Sequence, residues 1–489
     1  MRTWTGADPY EDHRRRVATV VLSLIAVAIV LLLVAAMVLT RTTAVESRNG
    51  VGDPYTPRAG GSGYDVQGYQ LDLRVDPTSG RVEGTTIVTL TPTENLSVIN
   101  LDLGLQVSSV RMGNETLTHI QSGYDLAVKA PPSRMLSSGF SAGRTVQLTV
   151  AYEGRPIDVL LDGEGSVYTQ GTELLIAGEP QGAAAWFPSN DHPSDPATFA
   201  ATIRVPSGFQ AISVGRLVSH TTEGSDDVWR WQTDEPTVTY ATTLAVGHFD
   251  VVVQPVLVGG VEKQAVYAVS HQVPNRERAM TWLQKSPQAA DTLSRWLGPY
   301  PVSSIGGIVP AAKPWWGGLE TLGRPIYHPG MVGNDSVIYH ELAHMWFGDT
   351  VTLQRWDDLF INESLTTYAE WLAEEAQGRG TPQQRFDDMY RRAPDSFWRQ
   401  KLSDPGPGKG LFTRVYDRGP MVVHATRIAM GDDAFFPFFK AWALQKGPRS
   451  LEQWREQAQR ASSIDLGPLF DAWLDGTTKV PNRPEYGFR

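Results

Sequence analysis

Apolar and polar positions alternate with period two through Tyr69-Gln70-Leu71-Asp72-Leu73-Arg74-Val75, and again at 86–90, 145–152, 199–205 and 240–253, with Gly, Pro and Asn clusters between them. Such alternation turns one face of each strand to a core and the other to water, and it predicts a mainly antiparallel β domain over residues 64–255. Near residue 256 the texture changes. A short strand signal at 266–269 precedes a helical period from Arg276 to Leu297, which Gly298-Pro299-Tyr300-Pro301 stops. Another strand signal follows at Gly306-Gly307-Ile308-Val309. From Val337 to Leu474 the apolar positions recur mostly at helical spacing, as at 435–444 and 451–461. Strands followed by helices predict an α+β unit over 256–489. No internal repeat is present.

The N-terminal region has its own pattern. Val17 to Thr40 is an apolar run of 24 residues, about 36 Å long as a helix and enough to cross a hydrocarbon core of roughly 30 Å with some tilt. Arg14-Arg15-Arg16 precede it, and only Arg41 and Arg48 follow closely. Positive charge on that side predicts a cytoplasmic N-terminus (1–16), a transmembrane anchor (17–40) and an extracytoplasmic remainder. Thr43-Ala44 also reads as a weak small-residue cleavage site, which leaves a long cleaved signal as the alternative. Residues 41–63, rich in Gly, Pro, Ser and Thr without apolar periodicity, are expected to form a flexible stalk.

Composition narrows the chemistry. The formal net charge is -10, and no basic tract lies outside the N-terminus, which argues against nucleic acid as a partner. The chain has no cysteine, so any bound metal must be held by His, Asp or Glu.

Those residue types meet in His340-Glu341-Leu342-Ala343-His344, with Glu363 following nineteen residues after His344. Histidines four apart share one helix face, so their imidazoles can converge on one zinc ion. A glutamate from the next helix completes a His₂Glu set, whose fourth position holds water. Glu341, one residue past the first ligand, can reach a zinc-activated water as general base without being a ligand. An accidental H-E-x-x-H on an amphipathic helix is the competing account; Glu363 at ligand spacing argues against it.

Across residues 64 to about 480 the chain resembles zinc aminopeptidases of the aminopeptidase N family, among the gluzincins. The resemblance is carried by His340, Glu341, His344 and Glu363 within a W-x-D-x-W-x-N-E-like run, Trp356 to Glu363, and by Gly317-Gly318-Leu319-Glu320-Thr321, similar to the exopeptidase signature G-x-M-E-N. It is carried further by Tyr416-Asp417-Arg418-Gly419, by Glu179 in a segment ending Trp186-Phe187-Pro188, and by Phe470-Asp471-Ala472-Trp473-Leu474. It implies a β domain packed on a thermolysin-like catalytic domain, one zinc per chain, and peptide substrates bound between the domains. Many relatives carry additional domains after this point, so it implies a minimal two-domain form with a more open cleft.

By the same resemblance, Glu320 and Glu179 bind the α-ammonium of the substrate, and Gly317 and Gly318 let its backbone approach. Tyr416 donates to the oxyanion. Apart from the resemblance, the spacing of Glu370, two helical turns after Glu363 on the same face, lets it orient a histidine ligand, with an exposed helix carboxylate as the alternative. Leu319 and Thr321 depart from the signature, as do Ala184, where arginine is usual, and Ser189, where cysteine is common. The implied activity is removal of N-terminal residues from oligopeptides outside the cell. A zinc endopeptidase and an inactive membrane-anchored binding scaffold are the alternatives, of which the first is disfavoured by Glu320 and the second by the complete set of ligands and base.

Overall fold

The computed structural model describes residues 9–41, 44–131 and 139–488, without side chains at 9, 11, 12, 15 and 33–41. Strands β1 (Tyr64–Asp76), β2 (Arg81–Pro92), β3 (Gln106–Met112), β4 (Glu115–Leu117), β5 (Val146–Gly154), β6 (Thr198–Pro206), β7 (Arg216–Glu223) and β8 (Asp226–Gln232) form one sheet in the order β7-β8-β6-β1-β2-β5-β3-β4. All neighbours are antiparallel except β6 and β1, which pair parallel with Ala201 opposite Leu71. Along β1 buried and exposed side chains alternate as the pattern requires, with Leu71, Leu73 and Val75 inward. Two four-stranded sheets complete this domain.

A five-stranded sheet opens the second domain: β9 (Phe249–Val258), β10 (Val261–Ser270), β11 (Ser304–Val309), β12 (Gly318–Leu319) and β13 (Ile326–Tyr327), in the order β9-β10-β11-β13-β12. The hairpin β9–β10 straddles the expected boundary at 255/256, so strand pairing moves the change of sheet to His248. The expected strand 240–253 is correspondingly two strands in different sheets, Leu244–Gly247 and β9. After the N-terminal helix α1 (Pro9–Arg41), the α-helices of eight or more residues among the described residues are α2 (Arg276–Leu283), α3 (Ser286–Leu297), α4 (Asp335–Ala343), α5 (Leu365–Ala376), α6 (Pro382–Arg392), α7 (Arg418–Met430), α8 (Asp432–Ala443) and α9 (Leu451–Ala461). The single helix expected from 276 to 297 is broken at Gln284-Lys285, ahead of Pro287, which has no N–H for a continuous ladder.

An N-terminal helix, Pro9–Arg41, carries the apolar run. Among the described residues no helix is long and apolar enough to cross a membrane. Described side chains of the run extend from Val17 to Leu32 and are exposed, whereas those at 33–40 lie outside the described residues. The stalk expected at 41–63 differs from what residues 44–63 do. They pack along the body: Val45 and Glu46 pair with Leu96 and Val98, Gly60 N–H donates to Asp102 Oδ2 at 2.8 Å, and Gly61 N–H to Asn190 Oδ1 at 2.7 Å. Composition suggested a solvated linker, yet buried acceptors on the β domain take its backbone donors.

Candidate active site

Helix α4 starts at Asn334, whose side chain accepts from Ser336 N–H. Its first residue, Asp335, accepts from Trp282 Nε1 at 3.0 Å and pairs with Lys285 at 2.8 Å. This helix ends on the pair it was expected to carry. His340 and His344 bring their Nε2 atoms to 3.2 Å, and Glu363 Oε2 stands 3.4 Å from the first and 3.3 Å from the second. Two ligands each 2.0–2.1 Å from a tetrahedral ion are separated by about 3.4 Å, so the triangle has the size zinc requires. Glu363 Oε2 is buried and has no hydrogen-bond partner, whereas Oε1 accepts from Tyr416 OH at 2.7 Å. One oxygen is thus left for a cation.

The remaining ring nitrogens are committed. His344 Nδ1 donates toward Asn362 Oδ1 at 2.7 Å and Phe347 O at 3.0 Å, and His340 Nδ1 toward Glu370 Oε2 at 3.2 Å. These contacts occupy Nδ1 of both rings and turn Nε2 of each toward Glu363, as the atoms that would ligate a metal. Glu363 and Asn362 sit in a π-helical turn, Phe360–Ser364, running straight into α5, and the widened turn lets both neighbours face the histidines. Gly419 permits the close approach of α7: a Cβ there would meet Ser364 Oγ at 1.9 Å.

Glu341, Glu320 and His344 place ligand-type atoms within 4.8 Å of one another. Burial pushes the Glu341 carboxyl up to about 8 against the pull of His340 and His344. Burial would also raise Glu363, but His344 and His340 beside it outweigh that and hold it well below the usual carboxylate range. Burial opposes a charge on His344, but Glu320 and then Glu363 beside it outweigh that and lift the imidazole to about 10. Glu179 is raised well above the ordinary range by burial and then by Glu320, and its Oε1 is unpartnered. Tyr416 projects its ring into the cleft, 40% exposed, while its hydroxyl lies among the carboxylates. Burial of that end and the neighbouring Glu363 keep the phenol protonated and able to donate.

Glu179, Gly317, Gly318, Glu320, His340, Glu341, His344, Glu363 and Tyr416 all line one cleft of about 410 Å³. Gly318 lies in β12, the end strand of its sheet, hydrogen-bonded only on its β13 side and able to accept an added strand. Thr321, the signature departure, is fully buried and donates to Arg324 O at 2.6 Å, so its hydroxyl does not face the cleft. His192, His328 and His424 stand apart from the metal set and bond to other partners.

Sequence reasoning missed Asn362, which joins His344 to Tyr240 and approaches Glu320 at 3.5 Å; its position immediately before Glu363 was the available signal. It also missed Arg418. That guanidinium is fully buried and donates to the carbonyls of Trp398, Gln400, Trp473 and Gly476, anchoring the turn that presents Tyr416. Arg324 does similar work after Glu320: it donates to Ser213 O and to Gly215 O, the latter at 2.7 Å, and stacks 4.5 Å over Trp231, binding this segment to the β domain.

A model of the Peptidase M1 N-terminal domain matches residues 66–241, and one of the Peptidase family M1 domain matches residues 331–473. The chain is 26% identical over 478 residues to an aminopeptidase N of Streptomyces lividans, covering 86% of this chain and 51% of that protein. It is 22% identical over 440 residues to a leucyl aminopeptidase of Saccharolobus solfataricus, covering 84% of this chain and 53% of that protein. The chain therefore spans about half the length of these curated relatives. Among solved structures, an M1 zinc metallopeptidase from Deinococcus radiodurans superposes with a TM-score of 0.80 at 28% identity, covering 88% of this chain and 98% of that one. A mutant of that enzyme bound to a Tyr-Ser-Ala substrate gives a TM-score of 0.81 at 28% identity, covering 89% and 100%.

Proposed function

We propose, from the premise that this chain belongs to peptidase family M1, that it is a zinc-dependent aminopeptidase that hydrolyses N-terminal residues from peptides. The observation that carries the reading is the charge of the cleft. Glu179, Glu320, Glu341, Glu363 and Glu370 line it, and among the described residues no Lys or Arg does. Carboxylates crowded out of water need cations, and two are called for here: a metal dication at His340, His344 and Glu363, and a monocation beside Glu320 and Glu179. The α-ammonium of a peptide supplies the second, and an internal peptide bond does not.

Zinc, when bound, polarises the scissile carbonyl and acidifies a water molecule. Glu341, placed by α4 against Gly318, takes the proton of that water and passes it to the leaving amine. Tyr416 OH turns from Glu363 Oε1 to donate to the carbonyl oxygen as charge develops on it. Glu320, oriented by Asn362, and Glu179 hold the ammonium so that the first peptide bond, and no later one, meets Glu341. The edge of β12 pairs with the substrate backbone.

The test is a pair of peptides differing only in N-acetylation. Losing one charge-assisted pair in a desolvated site costs about 2–5 kcal/mol, roughly 30-fold to several-thousand-fold in kcat/KM. Free peptides should be trimmed and acetylated ones spared; equal hydrolysis of both would move the assignment to an endopeptidase.

The N-terminal helix supports a further reading, that it anchors the chain in a membrane with the catalytic domain extracytoplasmic. Support comes from its 33-residue length, the exposed apolar side chains from Val17 to Leu32, and the arginines preceding them. Membrane fractions washed with alkaline carbonate should retain the full-length chain, and protease added to intact cells should release its bulk; recovery in the wash would refute the anchor.

A further inference from the structure

The segment that joins the N-terminal helix to β1 reaches the metal-ligand turn through one side chain. Asp53 is 2% exposed and both of its oxygens are engaged. Oδ1 accepts from the N–H groups of Tyr55 at 2.7 Å and Thr56 at 2.9 Å; Oδ2 accepts from Trp356 N–H at 2.7 Å and lies 3.1 Å from His192 Nε2. His192 belongs to the β domain and Trp356 to the catalytic domain, so one carboxylate joins three parts of the chain that are distant in sequence.

Trp356 opens the 3₁₀ turn Trp356–Asp358, which passes through Leu359 into the π-helical turn that carries Asn362 and Glu363. The first N–H groups of such a turn have no partner within it and take an acceptor from outside, for which a carboxylate is the strongest choice. The Trp356 ring is fully buried and lies 5.4 Å from the ring of Tyr240, whose hydroxyl accepts from Asn362 Nδ2 at 3.2 Å. Both ends of the ligand segment are thus held, one through the backbone of Trp356 and the other through the side chain of Asn362. Tyr55, two residues from Asp53, holds the loop that leads to the cleft residues Phe412 and Tyr416. Its hydroxyl donates to Asp404 and accepts from Gly406 N–H at 3.0 Å, on the loop that continues to Phe412 and Tyr416.

We propose that Asp53 is a positioning residue for the metal ligand Glu363, acting through the Trp356 N–H to hold the segment 356–364 in register with α4. The proposal rests on the reading of His340, His344 and Glu363 as the zinc set. It assigns the stretch after the N-terminal helix to the catalytic apparatus, where it sets the geometry of the site from outside the catalytic domain.

The experiment uses the full-length chain in detergent, wild type and D53N. Asparagine matches aspartate in shape, but its amide cannot accept at both oxygen positions. Three quantities are read: the zinc dissociation constant by chelator competition, hydrogen exchange over residues 356–364, and kcat with KM. Loss of groups that orient metal ligands from beyond the first contact weakens metal binding by about 10–100-fold. D53N should therefore bind zinc about tenfold more weakly, exchange faster over 356–364, and lose kcat with KM nearly unchanged. A residue that only supported the fold would lower the melting temperature while leaving the zinc affinity and exchange of the folded protein at wild-type values, and that result overturns the proposal. Should D53N not fold at the assay temperature, D53S, which keeps one acceptor, carries the same readouts. A wild type that takes up no zinc would overturn the metal reading itself, and this proposal with it, so the two failures are told apart by the wild-type titration.

Discussion

The carboxylate of Glu341 lies so close to Gly318 that a Cβ at Gly318 would stand 2.1 Å from Glu341 Oε1. The glycine in the edge strand thus makes room for the Glu341 carboxylate, the proposed general base. Gly318→Ala should push the flexible end of Glu341 aside at little cost in stability but displace the base by the order of an ångström, a shift that costs about 100-fold in rate. The expected outcome is a kcat lowered by about two orders of magnitude, with zinc content and melting temperature near wild type. Wild-type kcat in that variant would show that Glu341 is not held where the base must be.

Base and ligand separate by metal analysis. Glu341→Gln should retain about one zinc per chain and lose several orders of magnitude in activity, because Glu341 takes no part in the ligand triangle. His344→Ala should lose the metal, because it removes one corner of that triangle. Zinc content by atomic absorption, read beside turnover, checks both.

Tyr416→Phe removes a donor at the oxyanion position and the hydrogen bond to Glu363 Oε1. Loss of one oxyanion donor typically lowers kcat by about 100- to 1,000-fold. The variant should keep its zinc, because Glu363 Oε2 does not depend on the phenol. A fall in zinc occupancy in step with activity would assign Tyr416 to ligand support instead.

At Gly419 a methyl group would meet Ser364 Oγ at 1.9 Å and Ser364 Cβ at 2.6 Å, beside the metal ligand Glu363. Overpacking of this kind costs about 1–3 kcal/mol. Gly419→Ala should therefore lower both the melting temperature and the activity, and Ser364→Gly in the same chain should restore part of each. Fully additive losses in the double variant would remove the contact as their cause.

Acid stability should carry a contribution from Asp53. Burial would raise this carboxyl, but the bonds from His192, Trp356, Thr56 and Tyr55 outweigh it and lower the group from 3.8 to about 2. A carboxyl depressed in the folded state stabilises it above the unfolded value, and that stabilisation is lost as pH falls from near 4 toward 2. Denaturant melts across this window should show wild type losing stability faster than D53N on acidification, and parallel curves would exclude the linkage.

What the sequence by itself determined is what depends on neighbours along the chain. The i, i+4 histidines converge because helix geometry places them on one face, and the alternation at 69–75 appears as strand β1 because successive side chains of a strand point to opposite faces. Helix α9 occupies the residues its periodicity marked, capped by Ser450. Tertiary structure decided what depends on residues far apart in the chain. Gly318 against Glu341, Gly419 against Ser364, and the carbonyls gathered around Arg418 follow from packing of separate elements, and no local pattern encodes those distances. The segment 44–63 shows the difference most plainly. Its Gly, Pro and Ser content has the composition of a linker, and a linker it would be in isolation; acceptors supplied by Asp102 and Asn190, and donors gathered around Asp53 from residues as distant as Trp356, hold it to the body instead. Backbone N–H groups withdrawn from water must find partners, and only the assembled fold brings those partners within reach.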